Sequence, residues 1–143
     1  MARPPYTLLD HTGDIAFAIE AADWPDLLQV ATRALGDVIL EPADATESLE
    51  PIALEVDGAD REDVLVAWLN EAVRLFDERG YVPRAATFDV LDDEAARGTL
   101  WVLPLDLQVA EPDRVVKAAT YHGLAVMPAD EDGPWRATVV LDL

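Results

Sequence analysis

A chain of 143 residues with 51% hydrophobic and 27% charged side chains has the size and balance of one globular domain with a buried core. Twenty-nine Asp and Glu against ten Lys and Arg leave a net charge of −19, which argues against tight, direct binding to a nucleic-acid backbone. No apolar run approaches the ~18 residues that cross a bilayer, the start MARPPYTLLDHT lacks the apolar core of a signal peptide, and the absence of cysteine excludes disulfides, thiolate metal sites and a cysteine nucleophile. No membrane association and a cytoplasmic location are therefore expected. Taken alone, the acidity is accounted for by a solvated surface adapted to solubility; the functional alternative is affinity for cations or a basic protein.

Tyr6 to Leu9 is a short apolar run of strand type, broken by the polar turn Asp10 to Asp14. Ile15, Phe17 and Ile19 then alternate with Ala16, Ala18 and Glu20, the pattern of a half-buried strand. Asp23-Trp24-Pro25-Asp26 is a helix start, with Asp23 as cap and Pro25 in the first turn, where a missing N–H costs nothing. Leu27, Leu28, Ala31, Leu35 and Val38 follow at helical spacing, and Glu41-Pro42 closes the region. Ile52, Leu54 and Val56 alternate as a further strand. Asp60 opens a second helix with acids at Glu62 and Asp63 in its first turn; its apolar stripe runs from Val64 to Phe76, and Gly80 ends it. Strands are then expected at Thr87–Leu91, at Leu100–Val109 with Leu103, Leu105, Leu107 and Val109 on one face, and within Val115–Met127. After a turn at Asp130-Glu131-Asp132-Gly133, Trp135, Ala137, Val139 and Leu141 alternate to the end. The sum is a single α+β domain over residues 1–143. It has a mostly antiparallel or mixed sheet of about seven strands, with two amphipathic helices on one face.

Familiar catalytic signatures are missing. There is no Gly-rich phosphate loop and no G-x-S-x-G; Ser48 is the only serine, and His11 and His122 are the only histidines. What remains is a set of acids at positions that alternation does not explain. Asp14 ends a turn just before a buried strand, where a carboxylate often bonds turn amides. Asp142 stands beside the last residue, Leu143, whose α-carboxylate would bring further oxygens. The Asp142 carboxylate and that of Leu143 together suit part of a hard-cation site, although a solvated strand end is the simpler account. The segment Lys117-Ala118-Ala119-Thr120-Tyr121-His122-Gly123 sets Lys117, Ala119 and Tyr121 on one face of a strand and Ala118, Thr120 and His122 on the other. It reads as an ordinary strand or as a donor-rich patch on an acidic protein, with the structural role favoured.

D-H-T-G-D-I at 10–15, E-D-V-L-V-A-W-L-N-E-A-V-R-L-F-D at 62–77, K-A-A-T-Y-H-G-L at 117–124 and W-R-A-T-V-V-L-D-L at 135–143 together resemble the archease family, in order and over essentially the whole chain. The resemblance implies a small acidic accessory protein, not an enzyme, that activates an RtcB-type RNA ligase in tRNA splicing and RNA repair. Such a protein promotes GTP-dependent guanylylation of the ligase and supports multiple turnover. It also implies a divalent-cation site, for Ca²⁺ or Mg²⁺/Mn²⁺, built from Asp14, Asp142 and a main-chain or carboxylate oxygen of Leu143. His11 and Thr12 would shape the turn around Asp14, and Lys117, Thr120 and His122 would face the site or the partner; Asp10 is not counted as a ligand. Gly13 stands where relatives more often have Ala, which is expected to loosen the turn, and the ending Asp-Leu replaces a frequent Asp-Ile, a mild change. The alternatives are a chaperone-like interaction module whose cation is purely structural and, least supported, a small metal-dependent hydrolase.

Overall fold

The computed structural model describes residues 6–11, 13–42, 48–108, 110–128 and 133–143. Their elements run β1 (Tyr6–His11), β2 (Asp14–Ala21), α1 (Trp24–Ile39), β3 (Glu50–Asp57), α2 (Arg61–Arg79), β4 (Tyr81–Leu91), β5 (Ala95–Pro104), β6 (Ala118–Met127) and β7 (Trp135–Asp142). The α+β domain with seven strands and two helices is as expected. The strands, however, divide between two antiparallel sheets, a four-stranded one in the order β1-β2-β7-β6 and a three-stranded one in the order β3-β5-β4. The helices are likewise not confined to one sheet: α1 packs on β2, β7 and β4, and α2 on β6, β3, β4 and β5. Two sheets and a shared helical layer explain why the helices are apolar over such wide arcs, since each has two neighbours to meet.

Local chemistry sets the helix ends. Asp23 accepts the N–H of Asp26 at 2.8 Å, and Asp60 accepts that of Asp63 at 2.9 Å, each satisfying a donor that the helix itself leaves free. Gly80 closes α2 in the left-handed region (φ 72°), its N–H donating to the Phe76 carbonyl at 2.8 Å. Within the core, Trp68 is fully buried, and its indole N–H donates to Thr32 Oγ1 at 3.0 Å. The Thr32 hydroxyl donates in turn to the Leu28 carbonyl at 2.7 Å, so the polar atoms between the helices are paired. At Gly36 the α1 backbone meets β4 directly: a Cβ there would lie 1.6 Å from the Pro83 carbonyl oxygen, so no larger residue fits.

Two strand expectations shift. β4 begins at Tyr81, six residues before Thr87, because Pro83 is tolerated on an edge strand with a bulge between Pro83 and Ala85. β5 spans Ala95–Pro104 in place of Leu100–Val109. It starts early because Asp92 Oδ1 accepts the N–H groups of Glu94 and Ala95 and turns the chain into the strand. It stops at Pro104 because the next N–H, that of Leu105, donates to the Gly80 carbonyl instead of the ladder. Leu107 is consequently half exposed, and Val109 lies outside the described residues. The turn expected at Asp130, Glu131 and Asp132 also lies outside them.

Tyr6 ties β1 to α1 by donating its hydroxyl proton to Asp37, which Arg33 and Arg84 flank at 3.8 and 3.6 Å. Burial, and then the bond to Asp37, hold the Tyr6 phenol well above its ordinary range. The folded chain therefore keeps a proton that the unfolded chain loses, so this contribution is present below the unfolded phenol pKa of about 10 and declines as pH rises beyond it. Urea denaturation of wild type between pH about 9 and about 11.5 should show this alkaline decline. The Tyr6→Phe variant should be less stable at neutral pH and show a flatter alkaline limb.

Candidate metal centre

The β1–β2 hairpin turns in two residues, since His11 pairs with Asp14. Gly13 in that turn has φ 80°, a conformation that glycine adopts without strain. It therefore suits the turn and does not loosen it, contrary to the expectation from sequence. β2 pairs next with β7 over its whole length, and the register sets Asp14 directly opposite Asp142. The neighbouring pair, Ile15 and Leu141, is buried in the core, so the two aspartates share the opposite, outward face.

Two main-chain bonds fix this end of the sheet. The Leu143 N–H donates to the Gly13 carbonyl at 3.2 Å, and the Lys117 N–H donates to the Asp142 carbonyl at 2.8 Å. On the far side Ala118 pairs with Asp142, so Asp14, Asp142 and Ala118 form one cross-strand row. Asp14, Asp142 and Leu143 are thus brought together, with the Lys117 backbone beside them. Thr120 lies one row further along the same face, opposite Val140, and its hydroxyl donates to the Val140 carbonyl at 3.1 Å.

Beyond Thr120 the expected alternation fails. Four residues of β6, Tyr121 to Leu124, stand where β7 has only Val139, and pairing resumes between Ala125 and Thr138. His122 lies in that excursion, exposed, its N–H on Thr120 Oγ1 at 3.3 Å, and is not in the row of the aspartates. Tyr121 is exposed and donates its hydroxyl proton to Asp63 on α2. That bond pushes Asp63 below its ordinary carboxyl range and Tyr121 above its phenol range. The Lys117 side chain is exposed. Thr12 and the His11 side chain lie outside the described residues.

Two carboxylates directly opposite on adjacent strands repel. Asp14 adds a second oddity: its Oδ1 is buried and has no hydrogen-bond donor among the described residues. An unpaired buried carboxylate oxygen is costly and calls for a donor or a cation. The donor set is all oxygen, from two carboxylates and neighbouring main-chain carbonyls, which is the chemistry of a hard divalent cation. Among the described residues no group of three or more His, Cys, Asp or Glu side chains is placed to hold a metal. An ion here would rely on the two carboxylates together with main-chain oxygen and water, as Mg²⁺ and Ca²⁺ sites often do.

Comparison with known proteins agrees with this architecture. The model of the archease protein family (MTH1598/TM1083) matches residues 6–143. The chain belongs to the archease family. Among curated family members it is 35% identical to the archease of Methanopyrus kandleri, over 97% of this chain and 99% of that one. It is 30% identical to that of Pyrococcus furiosus, over 94% and 95%. The solution structure of Methanobacterium thermoautotrophicum protein 1598 has the same fold (TM-score 0.76, 24% identity, 99% of this chain and 100% of that one). So does the crystal structure of a Thermotoga maritima archease described as a possible chaperone (TM-score 0.63, 21% identity, 100% and 98%).

Three polar side chains of α2 meet β6, namely Glu62, Asp63 and Asn70; the sequence marks the two acids only as first-turn residues of the helix and does not single out Asn70. The one available signal was Asn70 itself, a poor helix former set beside the apolar stripe. For the aspartate pair, relief of repulsion predicts that Asp142→Asn stabilises the metal-free protein by about 0.5 kcal/mol. Urea denaturation in excess EDTA checks this.

Proposed function

We propose that this protein is an accessory factor of an RtcB-type RNA ligase in tRNA splicing and RNA repair, promoting GTP-dependent guanylylation of the ligase and its multiple turnover. A divalent cation, Ca²⁺ or Mg²⁺/Mn²⁺, is held by Asp14, Asp142 and the main-chain oxygen of Leu143. The observation that carries this reading is the pairing of Asp14 with Asp142 across β2 and β7, with Asp14 Oδ1 buried and without a hydrogen-bond donor among the described residues. Family membership supports it by bringing the expectations of the archease resemblance to these residues.

A bound cation supplies charge neutralisation and polarisation of phosphoryl oxygens. The chain's own residues do the rest. Asp14 and Asp142 bind on the outward face of the sheet, where a partner has access. The Leu143 and Lys117 N–H groups hold the backbone around them. The net charge of −19 favours encounter with a basic protein surface, such as the RNA channel of a ligase, and disfavours free RNA. The protein itself performs no covalent step, and it acts in the cytoplasm. Among the described residues no helix is long and apolar enough to cross a membrane.

The test is guanylylation of a cognate ligase by GTP with and without this protein. Asp14→Ala and Asp142→Ala should keep the wild-type circular dichroism spectrum and lose stimulation by about 10-fold or more, the scale of losing a metal-positioning group. Stimulation equal to wild type by both variants would sink the assignment. The description of the Thermotoga relative as a possible chaperone favours one second reading, a chaperone-like module with a structural cation. That reading predicts suppression of aggregation of an unrelated client with no ligase present, at equal strength in the wild type and both variants.

A further inference from the structure

Asn70 makes the pair of hydrogen bonds that a neighbouring strand would ordinarily make. Its Nδ2 donates to the Ala119 carbonyl at 3.1 Å, and its Oδ1 accepts the Ala119 N–H at 2.7 Å. β6 is an edge strand, so among the described residues Ala119 has no strand to meet on this side. A side-chain amide carries a donor and an acceptor side by side and matches both backbone groups at once. Further along the same strand, Glu62 accepts the Val126 N–H at 2.9 Å and Asp63 accepts the Tyr121 hydroxyl. The free edge of β6 is thus covered by side chains of α2.

Ala119 matters because of where the β6–β7 ladder breaks. Next to Asp142 the paired segment is only Ala118 to Thr120, and the ladder resumes at Ala125. Three paired residues are the short end of what a strand ordinarily offers. Yet this segment, with the Lys117 N–H on the Asp142 carbonyl, closes the end of β7 on the side away from β2. Asn70 is the group that secures it from outside.

We propose that Asn70 is a positioning residue for the Asp14–Asp142 centre, a role that rests on the metal reading above. By anchoring Ala119 it holds Lys117–Thr120 against the end of β7 and keeps Asp142 in register opposite Asp14. It touches neither the cation nor a partner.

Asn70→Leu removes both bonds at similar volume. Asn70→Asp keeps the acceptor for the Ala119 N–H but turns the donor into a carboxylate oxygen that faces the Ala119 carbonyl. Glu71→Gly is the control, a half-buried position on the same helix whose carboxylate pairs with Arg74 and not with β6, and whose change to Gly costs about 1 kcal/mol of helix propensity. Two quantities are read: Ca²⁺ affinity by calorimetry, and amide exchange by NMR at Lys117 and Leu143 in the metal-free protein. Asn70→Leu should weaken Ca²⁺ binding by about 10-fold, the scale for groups that orient metal ligands, and speed exchange at both amides. Asn70→Asp should do the same through repulsion at the Ala119 carbonyl, and Glu71→Gly should change neither beyond its effect on global stability. If wild type binds Ca²⁺ and the Asn70 variants bind as tightly with unchanged exchange, the role of Asn70 is overturned and the centre stands. Wild type that binds no Ca²⁺ overturns the centre and, with it, this role.

Discussion

The pairing of β2 with β7 is the constraint on which the rest of the molecule depends. These strands form the middle of the four-stranded sheet, and their side chains alternate between two tasks. One face carries Ile15, Phe17, Ile19, Ala137, Val139 and Leu141 into the core. The other carries the aspartates outward. A slip of one residue would exchange the two sets, burying charge and exposing the core, so the hydrophobic pattern that stabilises the sheet also fixes the position of the carboxylates. The acidic pair is held in place by the apolar residues beside it.

The helices serve two partners each, and this dual duty explains several otherwise odd residues. Gly36 exists to let α1 approach Pro83 on the smaller sheet, while the same helix packs on β2 and β7 of the larger one. α2 buries Trp68 and Leu69 and turns Glu62, Asp63 and Asn70 toward β6. An edge strand needs its free N–H and C=O groups either paired or guarded. Here a helix provides the pairing through side chains.

Much of the secondary structure was legible because it is set by neighbours in sequence. Asp23, Asp60 and Gly80 mark helix ends through bonds that span three or four residues, and Trp135 to Leu141 declares its alternation directly. The beginning of β4 was hidden by Pro83, whose tolerance depends on β4 being an edge, a fact of topology. The end of β5 was hidden because Leu105 gives its N–H to Gly80, a residue of another element. The partition into two sheets is of the same kind, since alternation specifies which side chains are buried and not which strand lies next. At the site, residue patterns marked Asp14 and Asp142 as unexplained acids, and only family resemblance joined them. Asn70 carried almost no signal, because nothing local to a helical asparagine states what its amide meets.

The separation of Asp14 and Asp142 in the chain has a consequence for how the protein is made. Their contact is among the most non-local in the fold, and such contacts form late and slowly because a long loop must close first. Until β7 is synthesised, the β1–β2 hairpin presents β2 with one edge unpaired, the condition in which nascent β-proteins are most prone to aggregate. An ion bound between residues so far apart can act only after that closure. It would stabilise the finished fold by mass action without guiding the chain toward it, so that metal occupancy in a cell would report completed molecules and not those still folding.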